Sequence, residues 1–395
     1  MELNSRLRFR AVLGIALMLS ITIGSSRLRA DTGTCGGATT TLPFTDVMAS
    51  PFFCQIAEAF FSGLTNGTSA TGYSPTQNVT REQMAAFITR TMDQSLKRGS
   101  RRAIHDQYWT PTSADGLGLT TVGNSPELVK SDGADLWVPN NVGDTVSRVR
   151  ASDGKLLETW TGALGAYGVM PAKGLIFMTG FTNPGKLHEI DPTQPVGAVT
   201  TLSSTLGVSP QGISFDGTRI WTANFGGSVS IVVLNPLSVT TVTTGFTSPT
   251  GILWDGANMW VTDFGAGKLL KLDPNGAILQ TVIVGANPRF PAFDGTNIWV
   301  PNQSSNTLTV VRASSGVILA TLSGNGLNTP RAAAFDGERI LITNLAGDSA
   351  SLWKAADLSP LGSVSTGAST SPIGVCSDGL NFWITLNQSG KLARF

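Results

Sequence analysis

The sequence contains little charge and very little histidine. Of its 395 residues, 13% are Asp, Glu, Lys or Arg and 2 are His. It carries no Cys-His constellation, no Gly-x-Ser-x-Gly elbow and no phosphate-binding loop, so the motifs of several enzyme classes are absent from it. With 41% hydrophobic residues the chain can still bury a large core, as a globular protein does.

The hydrophobic run near the N-terminus is too short to span a bilayer. Ala11 to Ile23 is an apolar run of 13 residues, whereas a spanning helix needs about 20. Arginines precede this run, and small and polar residues follow it up to Ala30. This pattern is typical of an export signal, so we predict a signal peptide over residues 1–30 and no transmembrane segment. The protein is expected to be secreted, to the periplasm or the cell surface.

The predicted mature chain has a small negative charge. Removing five Arg and one Glu with the signal lowers the totals of 27 basic and 26 acidic residues to 22 and 25, a net charge of −3. A protein of this balance has no general attraction for nucleic acid or anionic lipid. We therefore expect no nucleic-acid partner.

The 3 cysteines fall into two groups. Cys35 and Cys54 lie close together in an exported chain, where oxidation is expected, and we predict that they form a disulfide. Two unpaired buried thiols are the alternative. Cys376 lies in a repeated segment where other copies carry small or apolar residues, so we interpret it as a small buried hydrophobe.

The segment before the repeats has the pattern helix, polar loop, helix. Ser50 to Leu64 carries apolar residues at helical spacing, and a loop rich in Gly, Ser and Asn follows. A second helix is predicted from Thr80, because Thr80 and Gln83 fit the capping-box pattern and Val79 can pack on Met84.

This segment resembles an S-layer homology module. The matching stretches are "FTDV" from Phe44, "SGLTNG" from Ser62, "YSP" from Tyr73 and "VTREQMAAFITR" from Val79. The resemblance implies binding to cell-wall polysaccharide, with Arg81 holding acidic sugar substituents. In the alternative interpretation Arg81 is a solvated surface residue and the module is a folding cap. We assign residues 31–95 to this module and residues 96–116 to a basic, exposed connector.

The rest of the chain is a repeat. An Asp-Gly pair recurs at Asp132, Asp216, Asp255, Asp294, Asp336 and Asp378, with successive gaps of 84, 39, 39, 42 and 42 residues. The gap of 84 is twice 42, and a degenerate copy from Ala166 to Gly180, with Lys173 near the Asp position, fills it. In the six regular copies a Pro stands six residues before the Asp. Seven units of about forty residues predict a β-propeller.

Each unit reads as four short strands. A Trp recurs in the second strand of five units, and we interpret this stripe as packing between blades, with a ligand cage as the alternative. The last unit ends after three strands, whereas Leu117 to Gly123 forms a strand without a blade of its own. We predict an all-β, seven-bladed propeller over residues 117–395, closed by this N-terminal strand.

Motifs such as "DGANMWVTD" from Asp255 resemble the YVTN and NHL-type propellers and, through them, streptogramin lyase and gluconolactonase-like proteins. The lyases of this group use a divalent metal with His and Glu residues at the channel mouth. The repeat contains a single His, His188, on a predicted third strand, where a structural role is the simpler interpretation. We therefore predict no cofactor and no metal.

The position after each strand-leading Pro is expected to ring the mouth of the channel. It varies while the frame repeats, and it is occupied by Glu127, Tyr167, Gln211, Thr250, Arg289, Arg331 and Ile373. Arg289 and Arg331 would form an anion-recognising arc for a carboxylate or an acidic sugar. The alternative is that loop positions drift freely. Asp263, the acid among recurring Asn residues at the end of the second strand, is a further candidate, although turn formation explains that set.

These observations favour an exported, non-enzymatic binding propeller. Its partners would be cell-wall polysaccharide at the N-terminal module and a protein or small acidic ligand at the propeller. A metal-dependent lyase or lactonase is the alternative.

Overall fold

The computed structural model describes residues 30–35, 38–61, 64–99 and 118–395, with only the backbone of 92–99. The predicted signal peptide and most of the predicted connector lie outside these residues. Two compact units divide the chain, Met1–Gln94 and Ser95–Phe395. Within the described ranges, no helix is long and apolar enough to cross a membrane.

The described part of the first unit starts with a hairpin that the sequence did not lead us to predict. Strands β1 (Asp31–Cys35) and β2 (Ala38–Leu42) pair antiparallel and precede helices α1 (Phe53–Phe61) and α2 (Arg81–Gly99). The Asp31 carboxylate accepts hydrogen bonds from the N–H groups of Val47 and Met48 at 2.6 and 2.8 Å, which ties the hairpin to the following loop. A small core of Leu42, Phe44, Val47, Phe53, Ile56 and Ala57 fills the unit.

Two local predictions for this unit are confirmed. The backbone N–H of Thr80 donates to Gln83 Oε1 at 2.9 Å, and the N–H of Gln83 donates to Thr80 Oγ1 at 3.2 Å, so the capping box opens α2. Cys35 and Cys54 form a disulfide that joins the end of β1 to the first turn of α1.

The second unit is a seven-bladed β-propeller, as predicted. Between residues 118 and 395 the strands form seven antiparallel sheets of four strands each. In chain order the first two blades comprise β4 (Lys130–Ser131), β5 (Asp135–Asn140), β6 (Thr145–Arg150) and β7 (Leu156–Thr161), then β8 (Ala166–Ala172), β9 (Leu175–Gly180), β10 (Gly185–Ile190) and β11 (Thr200–Leu206). The second of these is the degenerate copy.

The remaining blades follow the same order. They comprise β12 (Pro210–Phe215), β13 (Ile220–Asn224), β14 (Ser228–Leu234) and β15 (Leu237–Val242); β16 (Pro249–Trp254), β17 (Met259–Asp263), β18 (Lys268–Leu272) and β19 (Ile278–Ile283); β20 (Ala292–Phe293), β21 (Asn297–Asn302), β22 (Thr307–Arg312) and β23 (Ile318–Leu322); β24 (Pro330–Phe335), β25 (Arg339–Asn344), β26 (Ser349–Lys354) and β27 (Pro360–Ser365); and β28 (Pro372–Ser377), β29 (Phe382–Leu386), β30 (Lys391–Arg394) and β3 (Gly118–Thr121).

The last blade is closed by the N-terminal strand. β3 pairs antiparallel with β30, from Gly118 opposite Arg394 to Thr121 opposite Lys391. The prediction that the residues before Glu127 complete the C-terminal blade is therefore confirmed. Because this pairing places both ends of the propeller chain in one blade, the chain itself crosses from the last blade to the first after β3.

The Asp-Gly marker and the Trp stripe form one hydrogen-bonded unit. In the fifth blade Asp294 accepts hydrogen bonds from the N–H groups of Thr296 and Asn297 at 2.8 and 2.6 Å, and from the Trp299 indole at 2.7 Å. The same indole-to-carboxylate bond, at 2.7–2.8 Å, occurs at Trp137, Trp221, Trp260 and Trp383. These five indoles are at most 1% exposed, and each lies in a cluster shared with the next blade, which confirms the packing interpretation.

Replacing Trp299 separates the two roles of this side chain. Trp299→Ala should lower the free energy of unfolding by about 3 to 5 kcal/mol, because it leaves a cavity between blades. Trp299→Phe keeps much of the packing and loses the bond to Asp294, so it should cost about 1 to 2 kcal/mol. Chemical denaturation of both variants measures the difference, and equal losses would contradict the assignment.

Removing β3 should open the ring. A chain that begins at residue 125 should unfold roughly 10 °C or more below a chain that begins at residue 117, since it loses a whole strand pairing and exposes the edge of β30. Thermal unfolding of the two chains provides the measurement. Similar transition temperatures would show that the closing strand contributes little.

Candidate functional site

The mouth of the channel is the end where the innermost strands begin. The seven predicted mouth positions lie there, each at or just before the start of an innermost strand. Six of them are buried, and Arg331 is half-buried. The structure brings four of them together: Glu127, Tyr167, Arg289 and Arg331.

Neighbouring blades hold the backbone of these residues in place. The hydroxyl of Thr262 donates to the carbonyl of Arg289 in the next blade at 2.7 Å, and Thr385 donates to the carbonyl of Glu127 across the closing seam. A glycine follows the mouth position in four blades. At Gly374 a Cβ atom would lie 2.4 Å from the Glu127 carbonyl oxygen, so only glycine allows this approach.

Two arginines converge on one amide oxygen. Gln303 Oε1 accepts a hydrogen bond from Arg331 Nη1 at 3.2 Å and another from Arg289 Nε. Arg331 Nη2 also donates to the Tyr167 hydroxyl at 3.1 Å, which links the sixth blade to the second across the channel. The Arg289 guanidinium lies 4.0 Å from the centroid of the Phe264 ring.

Glu127 is the carboxylate of this cluster. Its Oε1 accepts a hydrogen bond from Asn387 Nδ2 at 3.3 Å, whereas its buried Oε2 has no hydrogen-bond partner of regular geometry among the described residues. Burial raises the pKa of Glu127 to about 7, and the charge of Arg331 and the interaction with the Tyr167 hydroxyl only partly offset this effect. The surroundings of this carboxyl group therefore disfavour its ionised form.

The other titratable groups leave the cluster with net positive charge. Burial raises the pKa of Tyr167 to about 12, so its hydroxyl stays neutral. Burial and the neighbouring Arg331 charge lower the pKa of Arg289 to about 9, which still leaves the guanidinium protonated at neutral pH. Two guanidinium groups thus face one buried carboxyl group, and an anion would be stabilised between them.

The sequence analysis missed the side chains that complete this cluster. Gln303 and Phe264 each stand one position after the recurring Asn or Asp that ends the second strand, and Asn387 stands at the same place after Leu386. The backbone N–H of each donates to the carbonyl of the residue before a strand-leading Pro, as Gln303 does to Asn287 at 3.0 Å, so the position faces the mouth. The residue type at this position varies from blade to blade while the rest of the repeat is regular, and this variability was the signal that the sequence offered.

The other predicted mouth residues do not join the cluster. Thr250 Oγ1 donates to the Pro288 carbonyl at 3.1 Å, and this hydrogen bond joins two neighbouring blades. Asp263 is fully buried, and its carboxylate accepts hydrogen bonds from the N–H groups of Thr247, Ser248 and Ala266, so we assign it a structural role. Ile373 is apolar and buried, and Gln211 is buried with its Oε1 lacking a described hydrogen-bond partner.

A cavity of about 450 Å³ lies inside the channel. All seven innermost strands line it, from Leu128 and Phe290, which directly follow mouth residues, to Ser131 and Phe293 just before Asp-Gly turns. Tyr167 and Phe290 make a ring contact at 6.2 Å. Cys376, predicted to be a small buried hydrophobe, lines this cavity and is 4% exposed.

The residues of the described chain do not fit the divalent metal that the lyase resemblance implies. None of them forms a group of three or more His, Cys, Asp or Glu side chains able to hold a metal ion. His188 is buried on β10, where its ring nitrogens contact Thr201 Oγ1 at 3.1 Å and the Leu164 carbonyl at 3.3 Å. Burial lowers the pKa of His188, which is consistent with a neutral structural imidazole.

In the first unit the predicted wall-binding residue is exposed. Arg81 is the first residue of α2 and lies on the surface. Nearby, the Asp46 carboxylate of "FTDV" accepts hydrogen bonds from the N–H groups of Tyr73 and Ser74 of "YSP" at 2.8–3.1 Å. Two of the stretches that carry the resemblance thus bind each other.

The fold and its closed ring define the class, a seven-bladed β-propeller. Neither a family model nor a curated protein matches the chain. Solved structures match over about 70% of the chain. A streptogramin B lyase is 15% identical, with a TM-score of 0.59 over 70% of this chain and 97% of that one. The virginiamycin B lyase from Staphylococcus aureus is 16% identical, with a TM-score of 0.60 over 70% and 98%.

A third match has another activity in its name. The hydrazine synthase of Kuenenia stuttgartiensis is 16% identical, with a TM-score of 0.58 over 69% of this chain and 95% of that one. At identities this low the three likenesses show a shared fold alone.

The raised pKa of Glu127 predicts a dependence of stability on pH. The folded state holds this proton more tightly than the unfolded chain, so the contribution is complete below about pH 4.5 and is lost as the pH rises through about 7. Glu127→Gln should remove this loss, which amounts to about 3 kcal/mol. Urea unfolding at pH 4.5 and pH 8 measures it, with Glu338→Gln, on an Asp-Gly turn, as the control. Parallel pH profiles for wild type and Glu127→Gln would refute the assignment.

Proposed function

We propose that the protein is an exported, non-enzymatic binding propeller that recognises a small anionic group at the channel mouth and is held at the cell surface by its N-terminal module. One observation carries the first part. Arg289 and Arg331 share a single neutral acceptor, the amide oxygen of Gln303, and the buried Nε of Arg331 has no hydrogen-bond partner among the described residues. The mouth therefore holds more charged donors than acceptors, and a carboxylate would satisfy them.

The proposal on location depends on the sequence and on two compatible features. The predicted export signal would bring the chain to an oxidising compartment, and the disulfide between Cys35 and Cys54 is compatible with one. The S-layer homology resemblance supports attachment to cell-wall polysaccharide, with Arg81 exposed for contact.

The lyase or lactonase alternative has weaker support. It draws on a fold that hosts unrelated activities, and the described side chains offer no three-ligand metal cluster. Purified protein that retains a divalent metal tightly, or that turns over lactones or streptogramins, would favour this alternative.

Binding of a simple carboxylate tests the anion site. Acetate and glucuronate should bind the full chain, and Arg331→Gln should weaken that binding roughly tenfold or more, since one of two charged donors is lost. Isothermal titration calorimetry provides the dissociation constants. Arg150→Gln, an exposed arginine paired with Asp153, is the control and should bind as the wild type does. Equal affinity of wild type and Arg331→Gln would refute the site.

Retention on isolated cell wall tests the attachment. Wild type should sediment with the wall, Arg81→Ala should remain in solution, and Arg81→Lys should show an intermediate result because it keeps the charge but loses the planar, two-pronged contact. Equal retention of all three proteins would exclude a role for Arg81, and negligible retention of all three would exclude wall binding by this module.

A further inference from the structure

The rim of the mouth is divided into an apolar and a polar part. The rim position, one residue after the Asn or Asp that ends the second strand in most blades, is aromatic in three consecutive blades and amide-bearing in three others. The aromatic residues are Phe181, Phe225 and Phe264, the amides are Gln303, Asn387 and Asn141, and Leu345 occupies the sixth blade. We call the three phenylalanines the aromatic arc.

The fold does not require aromatic residues at these positions. Phe225 and Phe264 donate their backbone N–H groups to Ser209 and Ser248 at 3.0 Å, and Asn141 makes the same bond to Ser125 at 2.9 Å. The backbone contact that defines the position is therefore independent of the side chain. Yet Phe181 is 37% exposed and the other two rings are half-buried. An exposed apolar patch beside polar groups is typical of a ligand site.

The aromatic arc meets the arginine cluster at two places. The rings of Phe225 and Phe264 lie 5.8 Å apart, and Phe181 lies 5.6 Å from Tyr167. Phe264 in turn contacts the guanidinium of Arg289. A charged site for an anion and a surface for an apolar group thus adjoin at one edge.

Buried polar atoms at the same place lack partners. Gln211 lies in the third blade, as Phe225 does, and it is 6% exposed. Its Oε1 makes no hydrogen bond to any residue in the described ranges. The same holds for Glu127 Oε2, if regular geometry is required, and for Arg331 Nε. Unsatisfied buried groups are costly, and a bound ligand is one way to satisfy them.

We propose that the ligand is an amphipathic carboxylic acid whose carboxylate binds Arg289 and Arg331 and whose aromatic body packs on Phe181, Phe225 and Phe264. This inference rests on the proposed anion site and specifies its ligand. Glu127 opposes it less than an ordinary carboxylate would, because burial raises the pKa of this group to about 7.

Three probes separate the charge of the ligand from its apolar body. Phenylacetate carries both, acetate lacks the ring, and phenylacetamide lacks the charge. In calorimetric titrations of the full chain at pH 6, phenylacetate should bind at least about tenfold more tightly than either of the others. If acetate binds as tightly as phenylacetate and Arg331→Gln weakens both, the aromatic arc is refuted and the anion site stands. If carboxylate binding is absent, or unaffected by Arg331→Gln, the anion site is refuted as well.

A variant that borrows a residue from another blade tests the arc directly. Phe225→Asn places at this position the residue that the first and seventh blades already carry, so the frame should tolerate it. It should weaken phenylacetate binding roughly tenfold and change acetate binding less than about twofold. Val317→Asn, exposed on the loop between β22 and β23, is the control. Unchanged phenylacetate affinity in folded Phe225→Asn would overturn the proposal, and Phe181→Gln decides the question if that variant does not fold.

Discussion

The propeller depends on how closely its innermost strands can approach one another. Neighbouring blades are separate sheets, so strand pairing does not join them along their length. Instead a threonine of the second strand donates its hydroxyl to a mouth carbonyl of the next blade, from Thr179 to Gln211, Thr262 to Arg289, Thr343 to Ile373 and Thr385 to Glu127. In three of these seams a glycine, Gly168, Gly251 or Gly374, faces the same carbonyl, where an added Cβ atom would overlap it, whereas the seam from Thr343 to Ile373 has Ala332 at this position.

The same contact creates the candidate site. In this contact the threonine hydroxyl binds the backbone carbonyl of a mouth residue. The hydrogen bond fixes the backbone of the mouth residue and leaves its side chain free to differ from blade to blade. A ring built in this way presents seven side chains to a narrow axis, and residues from distant blades meet there. Arg331 and Tyr167 are 164 positions apart in sequence and are bonded across the channel. Low local dielectric then gives the few charges present a large effect on one another.

The scarcity of charge also limits which acids remain for binding. Among the buried acids that the structure describes, Asp31 and Asp263 accept backbone N–H groups, and Asp135 pairs with Arg148. The Asp of each regular Asp-Gly marker holds its turn and, in five blades, the indole of the Trp. Glu127 differs, since one of its oxygens lacks a regular partner within the described chain. Most acids thus stabilise the frame, and the mouth retains a surplus of cationic donors.

The sequence by itself determined the features that repeat or are local. The spacing of Asp-Gly and Pro predicted seven blades, and the three-stranded last unit together with the extra strand at Leu117 to Gly123 predicted the closure. The capping box predicted the start of α2, because that signal spans only a few residues. The hairpin at Asp31 was missed, since its short strands carry no alternating apolar pattern. The mouth ring was predicted as a set of positions, but only the tertiary structure decided that Tyr167 reaches Arg331, that Gln303 joins both arginines and that Asp263 turns to the backbone. The contact of Tyr167 with Arg331 joins blades that are not neighbours. All three features depend on side-chain length and on how the closed ring brings the mouth residues together, which no periodic signal encodes.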